Sequence, residues 1–177
     1  MACFGRYSFR HTSIEKIAEV AGVSRPTVYQ HFGGKEEIFR AVGARMLDVA
    51  LAEAELASGV DGRLADRLLG VLSAKLNLVV GHSSQEFRGE LIAEADNIAG
   101  DLIASFHQRL AAIVTDLLAA ATDELDLAGA AMSASEVALL LLDALTGIEQ
   151  ERAPVETLRI RLRQLVELTV RGLGRIE

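Results

Sequence analysis

Apolar residues recur every three or four positions along almost the whole chain, the period of a helix with one buried face. Ile14, Ile17, Ala18 and Ala21 fall on one such face. Ahead of them, Thr12-Ser13-Ile14-Glu15 has capping-box spacing, with Thr12 as N-cap and Glu15 reaching back. Gly22 stands where a left-handed residue stops a helix, and Val23 is placed to plug the turn. Ser24 is a second N-cap. Pro26 follows in the first turn, where its missing N–H does no harm. A short helix is therefore predicted from about Arg25 to Phe32, broken by Gly33-Gly34.

Lys35 opens a long helix to about Ala57, with Ile38, Phe39, Val42, Met46, Val49 and Leu56 as its stripe. After a loop over 58–62, a helix from about Arg63 to Val80 turns Leu64, Leu68, Val71, Leu72, Leu76 and Val79 inward. Gly81-His82-Ser83 breaks it. Further helices are predicted over about Ser84–Ala95, Gly100–Ala121, Ser133–Gln150 and from Pro154 to near Gly172, with an acidic connector over 122–131. There is no internal repeat, low-complexity tract or hairpin signal. The fold class is all-α, with about nine helices.

Composition agrees. The 177 residues include 27 alanines and 26 leucines, and proline only at 26 and 154; alanine and leucine are strong helix formers. Half the residues are apolar, too many for a disordered segment, and the length supports a core without disulfides. Cys3 is the single cysteine and can form no internal bridge, so a cytoplasmic protein is expected. Polar residues interrupt each apolar run short of about 18 residues, so no membrane span is expected.

The net charge of −7 argues at first against nucleic acid. Its distribution reverses that. Residues 1–46 hold seven basic and four acidic side chains, and residues 47–177 hold 11 and 21. A basic head on an acidic body suggests one surface that meets an anion and a body that repels it.

The two helices around Gly22-Val23-Ser24 have helix-turn-helix order, in which the second helix enters the DNA major groove. Its side chains have the right chemistry. Arg25 can fork onto guanine O6 and N7, and Pro26 offers an apolar edge to a thymine methyl. Thr27 and Tyr29 bring hydroxyls, and His31 a ring N–H, to phosphate oxygens. Lys35 adds its ammonium at a helix N-terminus.

Thr12-Ser13-Ile14-x-x-Ile17-Ala18-x-x-Ala21-Gly22-Val23-Ser24-x-x-Thr27-Val28-Tyr29-x-His31-Phe32-x-x-Lys35-Glu36-x-Ile38 resembles the DNA-binding signature of the TetR family of transcriptional regulators. The match covers about residues 4–39; the later helices agree in number, order and length. The resemblance implies a homodimer with an N-terminal three-helix DNA-binding domain (1–46) and a helical effector-binding and dimerisation domain (47–177). It implies that Thr12, Ser13, Thr27, Tyr29, His31 and Lys35 grip phosphates and that Arg25, Pro26 and Gln30 face bases. Glu15 sits where some members reach a base; here it could accept from cytosine N4, in competition with the capping box. Two departures stand out. Most of a first helix is missing ahead of Ser8, which suggests a start placed too late or a truncated domain, with the head core partly uncovered. Ser8 stands where glycine is usual, and Gly34 where Ser or Asn is common.

The resemblance places the dimer interface on the last two helices, at Leu140, Leu141, Ala144, Leu145, Ile148, Leu158, Leu162, Leu165 and Thr169. The central helices would enclose a pocket for a small, apolar effector. Asn77, Phe87, Arg88, Phe106, His107 and Leu110 are its candidate lining, with Glu94 and Asp143 as further polar candidates. His82 and Glu86 stand four apart but lack a third ligand, so no metal is expected. No cofactor is implied. Ser83-Ser84 lacks a nucleophile-elbow setting, there is no glycine-rich phosphate loop, and no enzyme is expected. The implied function is an operator-binding repressor released by an effector. The alternative is a dimeric ligand-binding or protein-interaction module whose head no longer holds DNA.

Overall fold

The computed structural model describes residues 3–4, 8–81 and 88–175. Among them are seven helices: α1 (Ile14–Ala21), α2 (Arg25–His31), α3 (Lys35–Gly59), α4 (Leu64–Val80), α5 (Arg88–Ala120), α6 (Ala134–Gln150) and α7 (Val155–Leu173). The all-α architecture is as expected, and the count of about nine is too high. The two helices expected over 84–95 and 100–121 run together as α5, with one non-helical residue at Ala99 (φ −135°, ψ 27°). The predicted break at Gly81-His82-Ser83 lies partly outside the described residues, as do Ser84, Glu86 and Phe87.

The helix ends follow local chemistry. Gly22 closes α1 at φ 67°, a left-handed conformation that glycine adopts without a Cβ clash. Its N–H and that of Val23 reach back to the Glu19 and Ala18 carbonyls. Ser24 caps α2 by accepting from the Thr27 N–H at 3.2 Å. Ser133 and Glu136 form a complete capping box on α6. The start of α1 is shifted by one residue from the expectation. Ser13 is the N-cap and accepts from the Lys16 N–H, whereas the buried Thr12 hydroxyl donates to the Ser8 carbonyl at 2.6 Å. Val23 stays 43% exposed and does not plug the turn.

Two apolar clusters organise the chain. The smaller joins Phe4, Phe9, Ala18, Val28, Ile38 and Phe39 with Leu91 of α5. Phe4 and Phe9 each pack on Phe39, with ring centroids 5.1 and 5.2 Å away and the planes steeply inclined. These rings cover part of the head core, while Val20 and Val23 stay 55% and 43% exposed. The larger cluster interleaves Leu64, Leu68 and Leu72 of α4, Leu110 and Leu118 of α5, Leu141 and Leu145 of α6, and Leu158 and Leu162 of α7. α3 passes through both: Val42 packs on the first and Leu47 on the second. The head over 1–46 was expected to continue along this long helix, and α3 runs unbroken past Met46.

By length and composition α5 could cross a membrane. Its buried Leu91, Phe106, Leu110, Val114, Leu117 and Leu118 instead pack in the two cores. The acidic connector also has a structural task. The Glu124 carboxylate accepts the Leu64 N–H at 3.2 Å and caps α4, which has no side-chain cap of its own.

Arg40 of α3 braces the bend in α5. Its guanidinium donates to the Ile98 carbonyl at 3.2 Å and to both carboxylate oxygens of Asp101. A carbonyl released by the bend thus keeps a donor. Arg10 adds a second tie to α5 through Glu94 at 3.3 Å.

Two expectations follow. Ser8 holds φ 61°, where a Cβ is strained, so Ser8→Gly should stabilise the chain by about 1 kcal/mol in urea unfolding. The Arg40 hydrogen bonds hold Asp101 at about 2, below its ordinary 3.8. A lowered carboxylate pKa stabilises above the unfolded value and loses that effect as pH falls through the folded one. Asp101→Asn should therefore lower Tm at neutral pH, and the gap to the parent should narrow as pH drops from 3.8 towards 2.

Candidate nucleic-acid interface and the adjoining cavity

α2 is held by one buried contact, Val28, and turns the rest of its surface outward. Arg25, Pro26, Tyr29, Gln30 and His31 are all exposed, with Tyr29 at 51%. Thr27 is half-buried, its hydroxyl 2.8 Å from Ser24 Oγ. The short turn at Gly22 and the burial of Ala18 and Val28 in one cluster fix α2 across α1. This is the geometry of a recognition helix presented on a small core.

Three sequence-assigned residues have other engagements. Thr12 is 3% exposed, and its hydroxyl is committed to Ser8, so it offers no surface to a phosphate. Lys35 donates to the Phe9 carbonyl at 2.9 Å and lies 4.2 Å over the Phe9 ring, tying α3 to the segment before α1. Arg25 pairs with Glu15, Nη1 to Oε1, at 2.6 Å. Glu15 thus neither caps the Thr12 N–H nor stands free for cytosine. Its carboxyl is held below the usual range by hydrogen bonds from its own backbone and the Ser13 side chain, with the Arg25 charge adding to them. Both partners are half exposed, and solvent-exposed pairs contribute little to stability. Ser13 remains exposed, although its hydroxyl oxygen is used as a cap.

A cavity of about 190 Å³ lies between α3, α4, α5 and α6. Phe39, Met46, Leu78, Leu91, Ile103 and Phe106 are among its apolar lining. Its polar end is the Lys75–Glu149 ion pair, with the side chains only 4% and 5% exposed. Lys75 also donates to Thr146 Oγ1 at 3.3 Å. Burial pushes the Glu149 carboxyl above its usual range, partly offset by the Lys75 ammonium. Burial and then the Lys75 charge push His107, also on the lining, below 6.5, so its ring is neutral at pH 7.

Of the expected lining, Phe106 and His107 border this cavity. Leu110 is wholly inside the larger core, Asn77 is exposed and accepts from Arg159 at 3.4 Å, and Arg88 is buried and donates to the Glu151 carbonyl. Glu94 is engaged with Arg10, Asp143 is exposed, and Phe87 lies outside the described residues. Lys75 and Glu149 were missed. The signal was present: Lys75 falls on the stripe of Leu68, Leu72 and Val79, where an unpartnered charge would be costly.

Residues 1–42 match the family described as bacterial regulatory proteins, tetR family. Over these N-terminal residues the chain is similar to TetR-family regulators. The transcriptional activator FasR of Mycolicibacterium smegmatis is 33% identical over 99 residues, 55% of this chain and 43% of FasR. The chain thus spans less than half the length of that relative. A transcriptional regulator from Cytophaga hutchinsonii superposes with a TM-score of 0.72 at 18% identity, over 97% of this chain and 93% of that one. SmeT, the repressor of the Stenotrophomonas maltophilia multidrug efflux pump SmeDEF, gives 0.69 at 20% identity over 98% and 86%. At these identities the two structures share the fold.

The residues assigned to a dimer face divide by burial. Leu141, Leu145, Leu158 and Leu162 are no more than 2% exposed and belong to the chain's own core. They are not available to a second copy. Leu140 (58%) and Ala144 are exposed, and Ile148, Leu165 and Thr169 are half-buried. Leu139, Ile160 and Leu168, which were not assigned, are exposed as well.

Proposed function

We propose that this chain is a DNA-binding transcriptional regulator, acting as a repressor. Residues 1–46 form the reading head and residues 47–177 the effector and dimerisation body. One observation carries the reading: an exposed α2 bearing Arg25, Pro26, Tyr29 and Gln30 over a single buried Val28, on a head whose sequence matches the TetR family. Arg25 and Gln30 read base edges, Pro26 meets a methyl group, and Tyr29, Thr27, His31, Ser13 and Lys35 position the head on phosphates. Thr12 serves the fold instead. The acidic body keeps the rest of the protein off the DNA.

A homodimer would pair the exposed apolar faces of α6 and α7. Two recognition helices about 34–36 Å apart would then face successive major grooves of a near-palindromic operator. A molecule in the cavity releases DNA only if it prefers the arrangement that does not fit those grooves. The protein works on DNA in the cytoplasm, and no catalytic role is assigned to it.

Duplexes selected from a random pool by the wild-type chain supply the test. Arg25→Ala should cost about 1–3 kcal/mol on the selected sequence and relax preference at one position, whereas Tyr29→Phe should weaken all sequences evenly. A wild-type chain that enriches nothing over random duplex would refute the assignment and favour a module with an impaired head. Leu140→Arg with Leu168→Arg should convert the dimer to monomer in sedimentation while leaving the helical circular dichroism unchanged.

A further inference from the structure

The cavity has one feature that packing does not account for. Glu149 is 4% exposed and lines the space, and its Oε1 has no hydrogen-bond partner among the described residues. Lys75 engages the other oxygen. A buried acceptor left unmatched is costly, so a donor entering the cavity gains the full value of that match. We infer that the cavity takes a neutral apolar molecule carrying one hydroxyl, an alcohol or phenol, whose O–H donates to Glu149 Oε1.

Charge selects within that class. Lys75 and Glu149 already cancel. A carboxylate ligand would face the Glu149 carboxylate, and an amine would bring a second cation beside Lys75. His107 is neutral and offers no countercharge to an anion. Asp96 and His107 are both exposed and stand on the outer lining, with His107 close enough to feel the Lys75 charge. Size narrows the class further. A dry cavity of about 150 Å³ holds benzene, so about 190 Å³ suits a single ring with a short alkyl tail. The walls of Phe39, Leu78 and Phe106 match such a body.

This inference rests on reading the cavity as the effector site, and the test separates the two. Calorimetry on the full chain at pH 7 would compare para-ethylphenol with para-ethylanisole, para-ethylbenzylamine and para-ethylbenzoate. The phenol is expected to bind, and the methyl ether, which lacks the donor, to bind about tenfold or more weakly. Both ions should bind more weakly than the phenol. Lys75→Met with Glu149→Leu removes both charges and should abolish the preference for phenol over ether; buried pairs often exchange for apolar residues without loss of stability. Glu149→Gln retains an oxygen acceptor and should keep the preference at reduced affinity. Equal binding of phenol and ether to the wild-type chain, tighter binding of either ion, or no binding of any of the four would overturn the inference, whatever the variants do. Operator release is read separately. Phenol bound with this selectivity but without DNA release leaves the inference standing and removes the effector role.

Discussion

Phe39 lies 1% exposed against Phe4 and Phe9 in the head and also borders the cavity in the body. It sits one turn into α3, the helix common to both clusters. A ring closely packed on one side has little room to accommodate change on the other, because protein interiors transmit strain rather than absorb it. The next residue, Arg40, grips α5 at its bend. Head and body are thus joined by adjacent side chains of one helix.

The body keeps a charged pair where an apolar one would be less costly. Desolvating Lys75 and Glu149 opposes folding, and their mutual attraction offsets that only with good geometry and further hydrogen bonds. Thr146 supplies one such bond, while Glu149 Oε1 lacks its own. An incompletely satisfied pair at the polar end of an apolar space is weak as a structural device and well suited to recognition, because a ligand can complete it.

Much of the head was legible because its information is local. The Gly22 turn, the Ser24 cap and the amphipathic period of α1 depend on residues within a few positions of one another. The error at the start of α1 has the same scale: Thr12 and Ser13 are both competent caps, and the choice fell to the Ser8 carbonyl, which takes the Thr12 hydroxyl. Glu15 was harder. Its partner Arg25 lies on the next helix, and only the crossing of α1 and α2 brings them to 2.6 Å.

By itself the sequence determined the all-helical class, the helix-turn-helix with its outward side chains and the separation of charge between head and body, because periodicity, caps and charge counts are properties of neighbouring residues. Only the tertiary structure decided which apolar positions are core. Leu140 and Leu141 are indistinguishable in composition, yet one is 58% exposed and the other 2%. It also decided that α5 bends at Ala99 instead of ending, and that Lys75 meets Glu149 across 74 residues of chain. A stripe specifies that a face is buried and leaves its partner open; the partner follows from how the helices pack together.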